Sequence, residues 1–194
     1  MNHYFTNDEL KSEMKKIRIK IREREFDFFT DNGVFSKKGL DFGSRVLINE
    51  LLDEDFTGDV LDIGTGYGAI GIVLSSFFDI DVDMVDVNKR ALHLAKMNAR
   101  LNNVCCNVFY SDIYSDVDRK YNIIVTNPPI RAGKRVVYDF LFGAKDYLLS
   151  SGVLYFVINK DQGAKSVISD LEKVANVEVL KKNKGFLVIK CVFD

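Results

Sequence analysis

Proline is scarce in this chain. Two occur in 194 residues, and they stand side by side as Pro128 and Pro129 in the stretch TNPPI, so they need a local reason. Cysteine is nearly as sparse. Cys105, Cys106 and Cys191 form an odd set without metal-ligand spacing, which argues against a disulfide framework and against a metal site; they read as reduced core or near-core residues. The two histidines, His3 near the terminus and His93 within a helical pattern, read as non-catalytic. No uncharged apolar run approaches the roughly 20 residues of a membrane helix, and the opening MNHYFTNDELKSEMKK lacks the apolar segment of a signal peptide. The expectation is a soluble, cytoplasmic protein. A large charge of either sign is missing too: the net charge is −1. That excludes a general nucleic-acid coat protein, so any polyanion contact must come from a local patch. What is present is a hydrophobic fraction of 47% with 12% aromatics, enough for a sizeable core and unlike a disordered chain.

From Asp59 onward apolar runs alternate with helical periodicity. GDVLDIG, VDMVDV, VCCNVF, YNIIVTN and GVLYFVIN read as buried strands. GAIGIVLSSFF, NKRALHLAKMNARLNN, VVYDFLFGAKDYLLSSG and GAKSVISDLEKVA read as the helices between and after them. In the second helix Asn88 is placed to cap the start, and Leu92, Ala95 and Ala99 share one face. VEVLKKNKGFLVIKCVF reads as two strands joined by a tight polar turn, an antiparallel pair. This order predicts a doubly wound, mostly parallel α/β sheet of seven strands with an antiparallel last strand. Ligands in such sheets lie outside the carboxyl ends of the strands.

Residues 1–58 read as an N-terminal extension and 59–194 as the core. In KKIRIKIREREF, Ile17, Ile19 and Ile21 alternate with Arg18, Lys20 and Arg22, a period-two strand with a basic outer face. FDFF-TDNG-VF reads as a hairpin turning at Asn32-Gly33, and DFGSRVLINELL as a short helix leading into the sheet.

The first core strand runs into LDIGTGYGAIG. Glycines at 64, 66 and 68 permit a tight turn and close approach to a ligand, and Gly71 lets the following helix pack near the sheet. Carboxylates accompany them: Asp62 at the end of the first strand, Asp86 at the end of the second, Asp112 just after the third. Any one could cap a helix or sit in a solvated loop. Three at successive strand ends form an acidic crevice, and the loop lacks the Lys-Ser/Thr pair of a phosphate site. Such a rim repels pyrophosphate and suits a ligand with a cation, a ribose and an amino group, which favours S-adenosylmethionine over a dinucleotide.

LDIGTGYGAIG, VDVN, SDIY and TNPPI, in that order, resemble the class I S-adenosylmethionine-dependent methyltransferases. GVFSKKGLDFGS upstream and NPPIRAGK downstream resemble the small-subunit ribosomal RNA guanine-N2 methyltransferase family, particularly its short single-domain members. The likeness covers nearly the whole chain. It implies that Asp62, Gly64, Thr65 and Gly66 hold the methionyl part of the cofactor, Asp86 and Val87 the ribose, and Asp112 with Ile113 the adenine. It also implies that Asn127 faces the transferable methyl. An exocyclic amine on a base is a weak nucleophile because its lone pair is delocalised. Two acceptors, the Asn127 side-chain oxygen and the Pro128 carbonyl, would each take one N–H and aim the lone pair. Pro128 and Pro129 offer no competing N–H and stiffen the loop, and Pro128 holds Asn127 extended. Many relatives acting on amines have an aromatic residue after the prolines to stack on a flipped base; here it is Ile130, which makes Phe35 and Tyr138 the candidates. Arg131, Lys134 and Arg135, with Lys37, Lys38 and the Arg18, Lys20, Arg22 face, could contact RNA phosphates.

The expected partner is therefore ribosomal RNA or the small ribosomal subunit, with no membrane and no metal. The alternatives are glutamine N-methylation of a release factor, a non-catalytic module holding S-adenosylmethionine and RNA, and a nicotinamide-dependent oxidoreductase.

Overall fold

The computed structural model describes residues 10–36 and 39–194. An antiparallel hairpin, β1 (Lys15–Ile21) and β2 (Arg24–Thr30), comes first, followed by α1 (Phe42–Leu51). Then come β3 (Asp59–Ile63), α2 (Ala69–Phe77), β4 (Asp81–Asp86), α3 (Lys89–Leu101), β5 (Asn107–Tyr110) and β6 (Tyr121–Thr126). A 3-10 turn (Ile130–Ala132) leads to α4 (Lys134–Tyr147), β7 (Leu148–Asn159), α5 (Ala164–Leu171), β8 (Ala175–Asn183) and β9 (Phe186–Phe193). The seven-stranded sheet runs β5-β4-β3-β6-β7-β9-β8. Its first five strands are parallel; β9 is antiparallel to both β7 and β8. The chain builds outward from β3 through β4 to β5, then crosses back to set β6 on the other side of β3. The switch point of the sheet therefore falls between β3 and β6, and it is outside the carboxyl ends at such a point that ligands bind in open α/β sheets.

Both faces are covered. Val60, Val82, Met84, Ile123, Val125 and Val157 face one apolar cluster, which holds the buried sides of α1, α2, α3 and the hairpin. Their strand neighbours Leu61, Val85, Ile124, Leu154 and Ile158 face the other, under α4 and α5. The alternation is the period of two that a sheet buried on both sides imposes.

Several expectations need correction. The basic strand is shorter than it reads, and the hairpin turns at Arg22-Glu23, not at Asn32-Gly33. Arg22 adopts a left-handed φ of 50° there. Asn32-Gly33 does turn, but the residues after it dock instead of folding back as a strand. The Asn32 carbonyl accepts from Arg90 and the Gly33 carbonyl from Asn88, at 2.7 and 3.0 Å, at the start of α3. VCCNVF is a strand only from Asn107, so Cys105 and Cys106 precede it; Cys105 is exposed while Cys191 is buried in β9. LLSSG belongs to β7, not to the preceding helix.

Two asparagines one turn apart, Asn98 on α3 and Asn102 at its C-cap, fasten the hairpin. The Asn98 amide donates to the Phe29 carbonyl and accepts from the Phe29 N–H, at 3.0 and 2.7 Å. Asn102 does the same with Asp27 at 2.8 and 3.2 Å. Residues 27 and 29 are spaced like successive partners on one strand edge, so the helix side chains stand in for a neighbouring strand. Asn98 is fully buried and also donates to the Tyr67 carbonyl at 2.8 Å, joining the hairpin to the glycine-rich loop. Asn98→Ala strips partners from three backbone groups and is expected to lower stability by about 3 kcal/mol, read from the urea midpoint; a loss under about 1 kcal/mol would refute the fastening role.

Candidate active site

The glycine-rich loop leaves β3 through Gly64, Gly66 and Gly68, all with left-handed φ between 60° and 93°. Asp62, next to last in β3, is wholly buried. One oxygen, Oδ2, accepts from the Thr65 hydroxyl at 2.6 Å and from the Gly71 N–H at 2.9 Å. A Cβ at Gly71 would lie 2.7 Å from the Met84 sulfur and 3.1 Å from Asp62 Oδ2, so only glycine lets α2 approach the sheet this closely. The other oxygen, Oδ1, is buried without a partner. Burial, reinforced by the Asp86 charge and opposed by those two hydrogen bonds, pushes the Asp62 carboxyl up to about 6. A buried acceptor left open is costly and marks where a donor belongs.

Asp86 ends β4 beside it. Its Oδ2 accepts from the Gly66 N–H at 2.9 Å and its Oδ1 from the Asn88 N–H at 2.8 Å. Burial pushes the Asp86 carboxyl above the ordinary carboxylate range and the backbone N–H donors of Asn88, Gly66 and Val87 pull it back, with burial prevailing. The loop is tied to β4 by the Gly64 and Thr65 N–H groups, both donating to the Val85 carbonyl, and Val87 follows directly. At the end of β5, the buried Ser111 hydroxyl donates to the Ile113 carbonyl at 2.8 Å. Ile113 has φ 55°, a strained conformation for a β-branched residue of the kind that gathers at ligand sites. Asp112 beside it is exposed.

Across the switch point, Thr126 closes β6 by donating to the Ile63 carbonyl at 2.8 Å. That bond locks the ends of β6 and β3 together and sets Asn127-Pro128-Pro129 beside the glycine-rich loop. The Asn127 amide nitrogen donates to the Ser44 hydroxyl at 2.9 Å and to Asp41 Oδ1 at 3.3 Å. Pro128 is buried. The 3-10 turn that follows uses the carbonyl of Pro129, which accepts from the Ala132 N–H at 2.9 Å.

Asp62, Gly64, Thr65, Gly66, Asp86 and Val87 thus lie in one hydrogen-bonded group, with Asp112 and Ile113 at the adjoining strand end and Asn127 across the switch point. The proposed RNA-facing residues are more dispersed. Ile130 is half-buried against the α4–α5 cluster. Phe35 is 57% exposed on the loop that docks on α3. The Tyr138 hydroxyl donates to Asp170 at 2.7 Å, and its ring stacks on Phe142 and lies 4.8 Å from the Lys134 ammonium. Arg135 points to solvent near Asp139, and Arg131 is exposed.

The hairpin's basic face is largely paired with acids, Asp27 and Glu23 lying within the hairpin or its turn and Asp53 just after α1. Arg18 and Lys16 pair with Asp27 at 2.7 and 2.8 Å, Lys20 with Glu23 at 3.8 Å and Arg22 with Asp53 at 2.5 Å. Lys37, Lys38 and His3 lie outside the described residues, and His93 is exposed on α3. Asp41 and Ser44, which grip Asn127, escaped the sequence reading as site residues. The spacing in DFGS, an aspartate three residues before a serine at a helix start, could have suggested a cap, but nothing in it points across 80 residues to Asn127.

Among the described residues no helix is long and apolar enough to cross a membrane. The Bacillus subtilis (strain 168) protein YbxB is 42% identical over 194 residues, covering 97% of this chain and 96% of that one. Ribosomal RNA small subunit methyltransferase C of Psychromonas ingrahamii is 34% identical over 184 residues, covering 92% of this chain and 52% of that protein. The chain spans about half the length of such methyltransferase C relatives. The solved T. thermophilus 16S rRNA N2 guanine methyltransferase, in complex with AdoMet and guanosine, superposes with a TM-score of 0.84 at 24% identity over 95% of this chain and 52% of that one. The methyltransferase small domain family matches residues 25–190, a span that takes in β2, the glycine-rich loop and the Asn-Pro-Pro turn, and the chain belongs to that family.

Proposed function

We propose that this protein transfers a methyl group from S-adenosylmethionine to the exocyclic N2 of a guanine in small-subunit ribosomal RNA. The observation that carries the reading is Asn127-Pro128-Pro129 held across the switch point from Asp62, whose buried Oδ1 lacks a partner. The names of the curated relatives point to small-subunit ribosomal RNA, and the solved neighbour of the same fold is a guanine-N2 methyltransferase.

The residues present fit the cofactor. Asp62 Oδ1 is an open acceptor for an ammonium group. A Cβ at Gly66 would meet nothing within 4 Å, so the loop backbone there borders open space. Asp86 Oδ2 takes the Gly66 N–H and Oδ1 the Asn88 N–H, and the carboxylate keeps lone pairs for ribose hydroxyls. When bound, S-adenosylmethionine supplies an electrophilic methyl on its sulfonium. The chain's part is to place the acceptor: Asn127 Oδ1 and the Pro128 carbonyl each accept one N–H of the amine, holding its lone pair on the methyl. As the new N–C bond forms the S–C bond breaks, and the surplus proton on nitrogen leaves to water. No strong base is needed, so positioning is the main contribution of the protein.

Labelled cofactor incubated with isolated small ribosomal subunits, followed by nuclease digestion and mass spectrometry, tests the reading; label on a guanine N2 is expected, and label on protein or on another base would overturn it.

Asp62 also sets a pH dependence. With its folded value raised to about 6 from 3.8, the neutral carboxyl stabilises the free protein below the lower value, and that contribution is lost as pH rises through the upper one. Cofactor ammonium favours the ionised form. The rise in melting temperature given by S-adenosylmethionine is therefore expected to grow between pH 5 and 7, by scanning fluorimetry. The same growth in Asp62→Asn would refute the assignment.

A further inference from the structure

We infer that Asp41 and Ser44, at the start of α1, are positioning residues that fix which end of the Asn127 amide faces the reacting amine. The inference rests on the amine-holding reading of Asn127 above and goes beyond it. An asparagine amide has two ends of nearly equal shape, one accepting and one donating. Turned the wrong way, Asn127 would present an NH2 to the target amine, and two donors would meet. Something must therefore choose the orientation.

The surroundings of Asn127 make that choice by chemistry. Asp41 Oδ1 lies 3.3 Å from the Asn127 amide nitrogen. The same Oδ1 accepts from the Ser44 N–H at 3.1 Å as the cap of α1. An ionised carboxylate can only accept, so the group facing it must be the NH2. The Ser44 hydroxyl, buried at 6% exposure, takes the same nitrogen at 2.9 Å. Both partners come from one helix start, whose backbone is set by the cap: the Arg45 N–H donates to the Asp41 carbonyl at 3.0 Å.

The helix start is itself held against the sheet. A Cβ at Gly43 would lie 2.9 Å from the Phe186 ring and 3.2 Å from Asp41 Oδ1, so glycine at 43 permits the close packing that brings Asp41 within reach. With both amide hydrogens directed to α1, Oδ1 of Asn127 is turned away from it and is the atom left to accept. The segment before the core thereby supplies part of the reaction geometry: α1 reaches over 80 residues in sequence to orient the catalytic asparagine.

The test separates orientation from folding. Asp41→Ser keeps a capping residue but is too short to hold Asn127, and Ser44→Ala removes the second acceptor. With labelled S-adenosylmethionine and isolated small ribosomal subunits lacking the modification, the double variant is expected to lose about tenfold in kcat. Its cofactor Kd should stay within about twofold of the parent. Ser44→Thr, which keeps the hydroxyl, should restore most of what Ser44→Ala loses. In an Asn127→Ala background the same pair should have no further effect, since nothing is left to orient. An unchanged kcat in the double variant, or an equal loss with and without Asn127, would overturn the inference. Should the double variant fold poorly, Ser44→Ala alone decides by the same comparison. An Asn127→Ala protein with full turnover would instead refute the amine-holding reading, so the two failures are distinguishable.

Discussion

Asn127→Ala is expected to lower methyl transfer by about 10²-fold or more, the scale on which losing one preorganised hydrogen-bonding group acts. The site is built so that little else can compensate. Pro128 has no N–H, Thr126 is committed to the Ile63 carbonyl, and the Pro129 carbonyl is used by the turn. The variant should fold, because Asn127 is only half-buried and its partners on α1 retain the cap of that helix. Asn127→Asp is an informative companion. It keeps an oxygen toward the amine but turns its second oxygen on Asp41 Oδ1, which already lies 3.3 Å from that position. Repulsion should rotate the side chain and lose most of the activity as well. Single-turnover rates with labelled cofactor measure both, and either variant retaining parental rates would remove the asparagine from the mechanism.

Asp86→Ala is expected to weaken S-adenosylmethionine binding by about 10²-fold, from two hydrogen bonds between a carboxylate and ribose hydroxyls at roughly 1.5 kcal/mol each. The carboxylate also organises its surroundings by taking the Gly66 and Asn88 N–H groups. Asp86→Asn, which keeps one acceptor, should lose less. Calorimetric titration reads the affinity directly. The distinguishing mark is kinetic: at saturating cofactor the Asp86 variants should approach parental kcat, whereas Asn127 variants should not. Equal affinity in parent and Asp86→Ala would end the ribose assignment.

Much of the architecture was legible in the chain because burial on both faces of a parallel sheet leaves apolar runs, as in β6 and β7, and short ones in β3 and β4 broken by the buried Asp62 and Asp83. The crevice followed from the strand ends, since Asp62, Asp86 and Asn127 each close an apolar run. The start of the chain was harder to read. The run Arg22 to Glu25 is wholly charged and has none of the glycine, asparagine or proline that mark a turn, so the fold at Arg22-Glu23 was easy to miss. Asn32-Gly33 has strong turn chemistry, but Arg90 and Asn88 bind its carbonyls, and that is tertiary information. The basic face of β1 was visible as charge; its partners Asp27 and Asp53 were not visible as partners. In the same way, Tyr138 was visible as an aromatic, and its hydrogen bond to Asp170 and stacking on Phe142 were not.

The asparagine pair at the end of α3 has a consequence for the order of folding. Its bonds to β2 span 69 and 75 residues of sequence, and closing loops of that size is slow relative to local pairing. β1 and β2 can pair with each other early, but the hairpin can dock only once α3 exists. The stability lost in Asn98→Ala should then appear as faster unfolding with little change in refolding rate, the signature of contacts made after the transition state, and an equal slowing of refolding would refute that order. The Tyr67 carbonyl shares that asparagine, so the glycine-rich loop would take its final shape in the same last step, and the hairpin at the start of the chain would finish the crevice at its centre.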